Sequence, residues 1–221
     1  NSYSMGNVSV VGTALRIGGL VGDNNGNIYN SYSIVNVSGN SSVGGLVGRS
    51  TKVGSTSGFI LNSYSCGNVN NAGNMTGGLI GSADATTNTN YTYSAGVVKG
   101  GTFVGGLVGQ SLIGGSGSSY YNFSFWDFEI AGGSYNDTGD LGNLSGIYAN
   151  TTAQMKKQAT YTALGWDFTN IWRIAEDYSY PYLKWQSTPA CGIPVPPTIT
   201  LTGGSGSDPD IELLSIGFNV N

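Results

Sequence analysis

The pentapeptide "GGLVG" stands at Gly18–Gly22, Gly44–Gly48 and Gly105–Gly109, with "GGLIG" at Gly77–Gly81. A second motif runs in phase with it. "NSYS" occurs at Asn1–Ser4, Asn30–Ser33 and Asn62–Ser65, then degrades to "YTYS" at Tyr91–Ser94 and "YNFS" at Tyr121–Ser124. Its aromatic falls at Tyr3, Tyr32, Tyr64, Tyr93 and Phe123, in steps of 29, 32, 29 and 30 residues. A period of this length, held over four intervals, specifies stacked repeats, because each unit buries its apolar residues only against its neighbours.

Within a repeat the pattern is that of short strands. "NSYSMGNVSVVG", "NSYSIVNVSG" and "NSYSCGNVNNAG" alternate small, β-branched and aromatic residues, and Gly- and Asn-rich turns follow. Helical spacing of apolar residues is absent from Asn1 to Phe125. Three short strands per coil, stacked at the usual interstrand spacing of about 4.8 Å, make an all-β β-solenoid of coils about 30 residues long. Its interior is then expected to hold Leu20, Leu46, Leu79 and Leu107 in one column and the Tyr/Phe series in another. The flanking glycines are expected at sharp corners, where the coil spacing leaves no room for a large side chain and where glycine takes φ values that other residues pay for. On this reading "GGLVG" is a packing device. A phosphate loop is excluded because no copy leads into a helix or carries a Lys-Ser/Thr pair; the residues that follow are Asp23, Arg49, Ser82 and Gln110.

At this point the chain resembles the GLUG-motif repeats of large bacterial and archaeal surface and secreted proteins, over about residues 1–185. The motifs that carry the resemblance are "GGLVG" preceded by "NSYSxGxV", then "FWDFEIAGGSYNDTG" (Phe125–Gly139), "TTAQMKKQATYTALGWDFTNIWRI" (Thr151–Ile174) and "YPYLKW" (Tyr180–Trp185). The resemblance implies an extracellular repeat region, often linked to adhesion, with no catalytic residues to carry over.

Four parts follow from the pattern: solenoid repeats over 1–125, a capping segment with one short helix over 126–186, a Pro-rich linker over 187–197, and a C-terminal strand tail over 198–221. The capping segment holds Trp126, Trp166, Trp172 and Trp185. Its helix, "TTAQMKKQATY", has Thr151 or Thr152 as cap and Gln154 in the first turn. Terminal repeats are atypical, so this unit is expected to plug the open last coil, with a sugar-stacking platform as the other use of its aromatics. In the tail, Leu214, Ile216, Phe218 and Val220 alternate with small or polar residues, and Ile211 precedes them. Such a strand either folds back on its own solenoid or completes the sheet of a neighbouring copy. The chain opens at Asn1 inside a repeat rather than at Met, as in a processed chain or a fragment.

Composition narrows the chemistry. Charged residues are 9% of the chain, against roughly 25% in ordinary domains, and there is no histidine. The net charge of −4 and eight scattered Lys and Arg give no footprint for nucleic acid. No apolar run approaches the roughly 18 residues that span a bilayer. Without histidine, Ser-His-Asp, Cys-His and His-bearing zinc sites are impossible. Asp127 and Glu129 lie on one side of a strand if "FWDFEI" is extended, but a solvated face explains them equally, and the acids do not recur from coil to coil. "DNNGN" (Asp23–Asn27) and "NDTGDLGN" (Asn136–Asn143) have too few carboxylates for a calcium loop and read as Asx turns. No enzyme activity, metal or cofactor is therefore expected. Cys66 and Cys191 either form one bridge in an oxidising compartment or stay as buried thiols. Asn-x-Ser/Thr acceptors stand at Asn7, Asn36, Asn40, Asn74, Asn90, Asn122, Asn136, Asn143 and Asn150. The expected function is an extracellular structural protein, a filament subunit joined head to tail to copies of itself through Ile211–Val220. The other reading is a glycan-binding adhesin module.

Overall fold

The fold is taken from a computed structural model, which describes residues 1–10, 12, 14–51, 58–84, 87–112, 121–133 and 135–192. The expected tail strand, 198–221, and residues 193–197 of the linker lie outside the described residues.

The chain winds into a β-solenoid of about four turns, nearly all β. The first coil contributes β1 (Tyr3–Ser9), β2 (Arg16–Gly18) and β3 (Val21–Asn24). The second has β4 (Asn27–Tyr29), β5 (Tyr32–Gly39), β6 (Ser42–Gly44) and β7 (Val47–Ser50), and the third β8 (Phe59–Ser65), β9 (Val69–Asn71), β10 (Met75–Gly77) and β11 (Ile80–Asp84). β12 (Asn88–Ser94), β13 (Val98–Lys99) and β14 (Val104–Leu112) form the fourth. A last, partial coil holds β15 (Tyr121–Asn122), β16 (Ser124–Asp127), the short helix α1 (Phe128–Ala131), β17 (Asn136–Thr138) and β18 (Ile147–Asn150). Pairing between coils is parallel throughout, in a ten-stranded and an eight-stranded sheet that face each other across the interior. The second and third coils carry four strand segments, not three: the extra break falls at Asn30–Ser31 in the second and at Cys66–Asn68 in the third.

The leucine column forms as expected. Leu20 N–H donates to Leu46 C=O, Leu46 N–H to Leu79 C=O and Leu79 N–H to Leu107 C=O, each at 2.9 Å. Leu46, Leu79 and Leu107 are fully buried, together with Val47, Ile60, Ile80 and Val108. Of the two reasons expected for the glycines beside them, lack of room holds and special φ does not. None of the "GGLVG" glycines has a positive φ. Instead, a Cβ at Gly45 would stand 2.2 Å from the Gly78 carbonyl oxygen, and one at Gly78 would stand 2.2 Å from that of Gly106. The coils approach so closely there that no side chain fits between them.

Positive φ recurs at one position of the other motif. Asn30, Asn62, Tyr91 and Phe123 all sit near φ 50° and form the corner where each coil turns into its "SYS" strand. Asparagine takes this conformation readily, while Tyr91 and Phe123 adopt it at a cost of about 1–2 kcal/mol each. Their rings stack at 5.2 Å. This corrects the repeat register at its last copy. Phe123 continues the corner, and Phe125 is the residue paired with Tyr93. The aromatic steps are therefore 29, 32, 29 and 32 residues.

After β18 the chain forms α2 (Thr152–Met155), α3 (Gln158–Thr162) and an antiparallel pair, β19 (Trp172–Arg173) with β20 (Tyr182–Leu183). The single expected helix is thus two short ones, divided at Lys156–Lys157. Thr151 caps α2 in a capping box with Gln154, whose N–H donates to Thr151 Oγ1 at 3.1 Å.

Candidate functional site

In each "NSYS" strand the serine after the tyrosine faces the interior. Ser65 Oγ donates to Gly78 C=O at 2.6 Å and Ser94 Oγ to Gly106 C=O at 2.7 Å. Alternation along the strand then turns the tyrosines outward, onto one flank of the solenoid. There they stack as a column: Tyr3 on Tyr32 at 5.4 Å, Tyr32 on Tyr64 at 5.1 Å and Tyr64 on Tyr93 at 4.7 Å, the last pair within 5° of parallel. Phe125 and Tyr148 extend the column into the last coil, 5.4 Å apart.

The aromatic-rich C-terminal segment, 151–192, lies along this column as a clasp. It caps the solenoid on its side and reaches every rung, where the sequence suggested a plug over one end. Trp166 packs on Phe125 and Tyr93, and Trp172 on Tyr93 and Tyr64. Trp185 lies over Tyr32 and Tyr3, with centroids at 5.6 and 6.2 Å. Polar ends are matched as well. Tyr93 OH donates to Pro181 C=O at 2.6 Å, Tyr64 OH to Gln186 Oε1 at 2.9 Å, and Trp166 Nε1–H to Phe123 C=O at 2.9 Å. Burial holds the hydroxyls of Tyr64, Tyr93, Tyr161 and Tyr180 above the ordinary tyrosine range. Cys66 and Cys191, one of the two open possibilities in the sequence, form a disulfide with Cα atoms 6.0 Å apart, which fastens the clasp to the third rung.

Asp127 anchors the other end of the clasp. The strand stops there, so Asp127 and Glu129 are not alternate residues of a strand. Asp127 is the N-cap of α1 and its Oδ1 accepts from the Glu129 and Ile130 N–H groups, both at 3.0 Å. Its Oδ2 accepts from Thr152 Oγ1 at 2.7 Å and Tyr180 OH at 2.6 Å, while Glu129 accepts from the Thr152 N–H at 2.9 Å. Four donors account for the buried carboxylate, and the pair is a structural joint between the last coil and the clasp.

The two Asx-rich loops are occupied in the same way. Asp23 pairs with Arg16 at 2.5 Å, and Asn24 Oδ1 accepts from the Gly26 N–H. In "NDTGDLGN", Asp137 accepts from Trp126 Nε1–H at 2.7 Å and Leu144 N–H at 2.9 Å, and burial raises its carboxyl above the usual range. Asp140 accepts from the Ser111 N–H. Among the described residues no three His, Cys, Asp or Glu side chains come together to hold a metal. The sequons divide by exposure. Asn7, Asn36, Asn40, Asn74, Asn136 and Asn143 are exposed, while Asn90, Asn122 and Asn150 are half-buried. Asn7 and Asn36 also belong to a side-chain ladder, Asn36 Nδ2–H donating to Asn7 Oδ1 at 3.1 Å. The strand residues Ile211, Leu214, Ile216, Phe218 and Val220 lie outside the described residues.

Sequence reasoning missed the outward turn of the tyrosines and the role of Gln186. The alternation of serine with tyrosine stands in the sequence, but which of the two faces inward is read only from the buried serines; the polar Gln186 directly after "YPYLKW" is the one sequence mark of the partner segment.

The class these features define is a β-solenoid with an external aromatic column covered by a disulfide-fastened clasp. Over 112 residues, half of this chain, the sequence is 38% identical to a protein of Evansella cellulosilytica described as a "Putative Gly-rich membrane protein". The match spans 12% of that protein's length. No family model matches the chain, and no solved structure matches it. Among the described residues no helix is long and apolar enough to cross a membrane.

Proposed function

We propose that the chain is an extracellular structural module of the GLUG-repeat kind, which joins copies of itself head to tail into a filament. The observation that carries this reading is the parallel stacking of the coils in register: a strand with the repeat's alternation can extend such a sheet, and the tail at 211–220 has that sequence pattern. A head-to-tail contact of this type generates an open filament. The disulfide favours an oxidising, extracellular setting. Interior leucines, self-covered tyrosines and acids engaged in structural hydrogen bonds favour a scaffold over a catalyst.

A second reading, glycan binding, draws on one feature. Trp185, 40% exposed, and Tyr3 form an uncovered aromatic pair at the end of the column, beside a cleft lined by Asn30, Asn170 and Lys184. Aromatic faces with polar neighbours suit sugar stacking. Electron microscopy of the intact chain and of a form lacking residues 198–221 separates the two. Filaments from the intact chain alone support assembly. Monomers from both forms overturn it and leave Trp185→Ala, read out on a glycan array, as the decisive variant.

A further inference from the structure

The rings under the clasp form an unbroken path of oxidisable side chains. Trp185, 40% exposed, has its ring centroid 5.6 Å from Tyr32; Tyr32 lies 5.1 Å from Tyr64, and Tyr64 4.7 Å from Tyr93. Tyr93 then stacks on Tyr180 at 6.0 Å, within 18° of parallel. Trp172 runs beside the middle of the path, 6.2 Å from Tyr64 and 6.3 Å from Tyr93. Indole and phenol are the aromatic side chains that give up one electron most readily, and neighbouring rings this close exchange it quickly. No phenylalanine interrupts the path.

What differs along it is where a proton can go. A phenol that loses an electron becomes strongly acidic, and it stays oxidised only if its proton finds an acceptor. Tyr64 OH donates to the Gln186 amide oxygen and Tyr93 OH to Pro181 C=O, neither of which is a base. Trp172 Nε1–H has no partner among the described residues. An oxidised ring at these places would be a charge buried without a partner. Tyr180 is different. It is buried, and its OH donates at 2.6 Å to a carboxylate oxygen, Asp127 Oδ2.

We propose that the aromatic column is a sink for one-electron oxidants, in which Trp185 is oxidised first and the electron vacancy moves along Tyr32, Tyr64 and Tyr93 to rest on Tyr180. The oxidant gains one electron. In the last step Tyr180 gives an electron to oxidised Tyr93, and its phenolic proton passes to Asp127 Oδ2. The products are a neutral Tyr180 phenoxyl and a protonated Asp127, so the carboxylate charge is cancelled and no new charge is buried. A one-electron reductant reverses both transfers and restores the column. A single chain suffices, with no assembly required.

Tris(bipyridine)ruthenium(III), generated by a light flash with a cobalt(III) ammine as electron acceptor, supplies the oxidant to the full chain. Freeze-quenched electron paramagnetic resonance is expected to show one dominant tyrosyl radical. Tyr180→Phe should lower that signal at least tenfold, and an undiminished signal overturns Tyr180 as the resting place. Trp185→Phe should slow its appearance at least tenfold, and an unchanged rate overturns the path. Asp127→Asn still accepts from the α1 N–H groups but takes up no proton, so the yield should fall at least tenfold; an equal yield overturns the proton transfer. Asp127 also joins the last coil to the clasp, so near-UV circular dichroism of that variant is recorded first. Should its clasp be lost, the unaltered chain in D2O provides the same test. Radical formation at least twofold slower is expected there, and equal rates in the two solvents overturn the proton transfer.

Discussion

Replacing Cys66 and Cys191 together with alanine should release the clasp while the coils stay wound. The bridge spans 125 residues of sequence. With the solenoid folded, however, the chain that gains freedom is the clasp, roughly 40 residues between Thr151 and Cys191. The loop-closure relation gives about 13 cal/mol/K for a loop of that size, or about 4 kcal/mol at 25 °C. The clasp-opening equilibrium should therefore rise by roughly a thousandfold. Native-state hydrogen exchange reads this directly. Lys184, whose N–H donates to Ile171 C=O, and Gln186, whose N–H donates to Leu183 C=O, should lose protection, and Leu46 and Leu79 should keep theirs. Tryptophan fluorescence provides a second signal, since Trp166, Trp172 and Trp185 all belong to the clasp. A loss of less than tenfold at Lys184, or an equal loss at Leu79, would refute the reasoning and make clasp and coils one cooperative unit.

Three further predictions concern the coils and the column. Leu79→Ala, which empties the middle of the leucine column, should cost about 3–5 kcal/mol in denaturant unfolding. Gly78→Ala should cost about 3 kcal/mol or more because its Cβ meets a carbonyl oxygen of the next coil, whereas Gly26→Ala, with nothing within 4 Å, should stay within about 0.5 kcal/mol of the parent. The buried tyrosines predict alkaline lability. Their folded pKa values lie above the unfolded value of 10.0, so their contribution is intact below pH 10 and is lost as pH rises beyond it. Each fully buried tyrosine, Tyr93 and Tyr161 among them, adds a slope of about 1.4 kcal/mol per pH unit, and absorbance at alkaline pH should show ionisation coinciding with unfolding.

The coils were legible because their repeats sit on the two quantities that sequence reports best, period and alternation. Four leucines at one place in four pentapeptides could belong only to a shared interior column. The glycines were located correctly and only half explained correctly, since close approach of backbones and positive φ leave the same letter in the chain and here only close approach applies. The register slip at Phe123 has a similar origin. "YNFS" and "FSFW" overlap, and only the αL corner shows that Phe123 continues the asparagine position. The side taken by the tyrosines was harder to read. A buried tyrosine stacked in a column looks the same from sequence whether it faces the interior or a clasp some hundred residues away, and the partner segment has no period to align against it. Asp127 illustrates the limit: its spacing from Glu129 suggested a strand pair, while its four donors come from α1, Thr152 and Tyr180.

The bridge between Cys66 and Cys191 also sets where tension can travel. Pull the chain at any point before Cys66 and any point after Cys191, and the covalent path crosses from one sulfur to the other. Residues 67–190, which include the last two coils and nearly all of the clasp, then sit outside the line of force. Only the first rungs and the segment beyond Cys191 can be drawn out, and a length on the order of 400 Å of extended chain is held in reserve. A string of such units under load would stretch by its outer coils and stop at its disulfides.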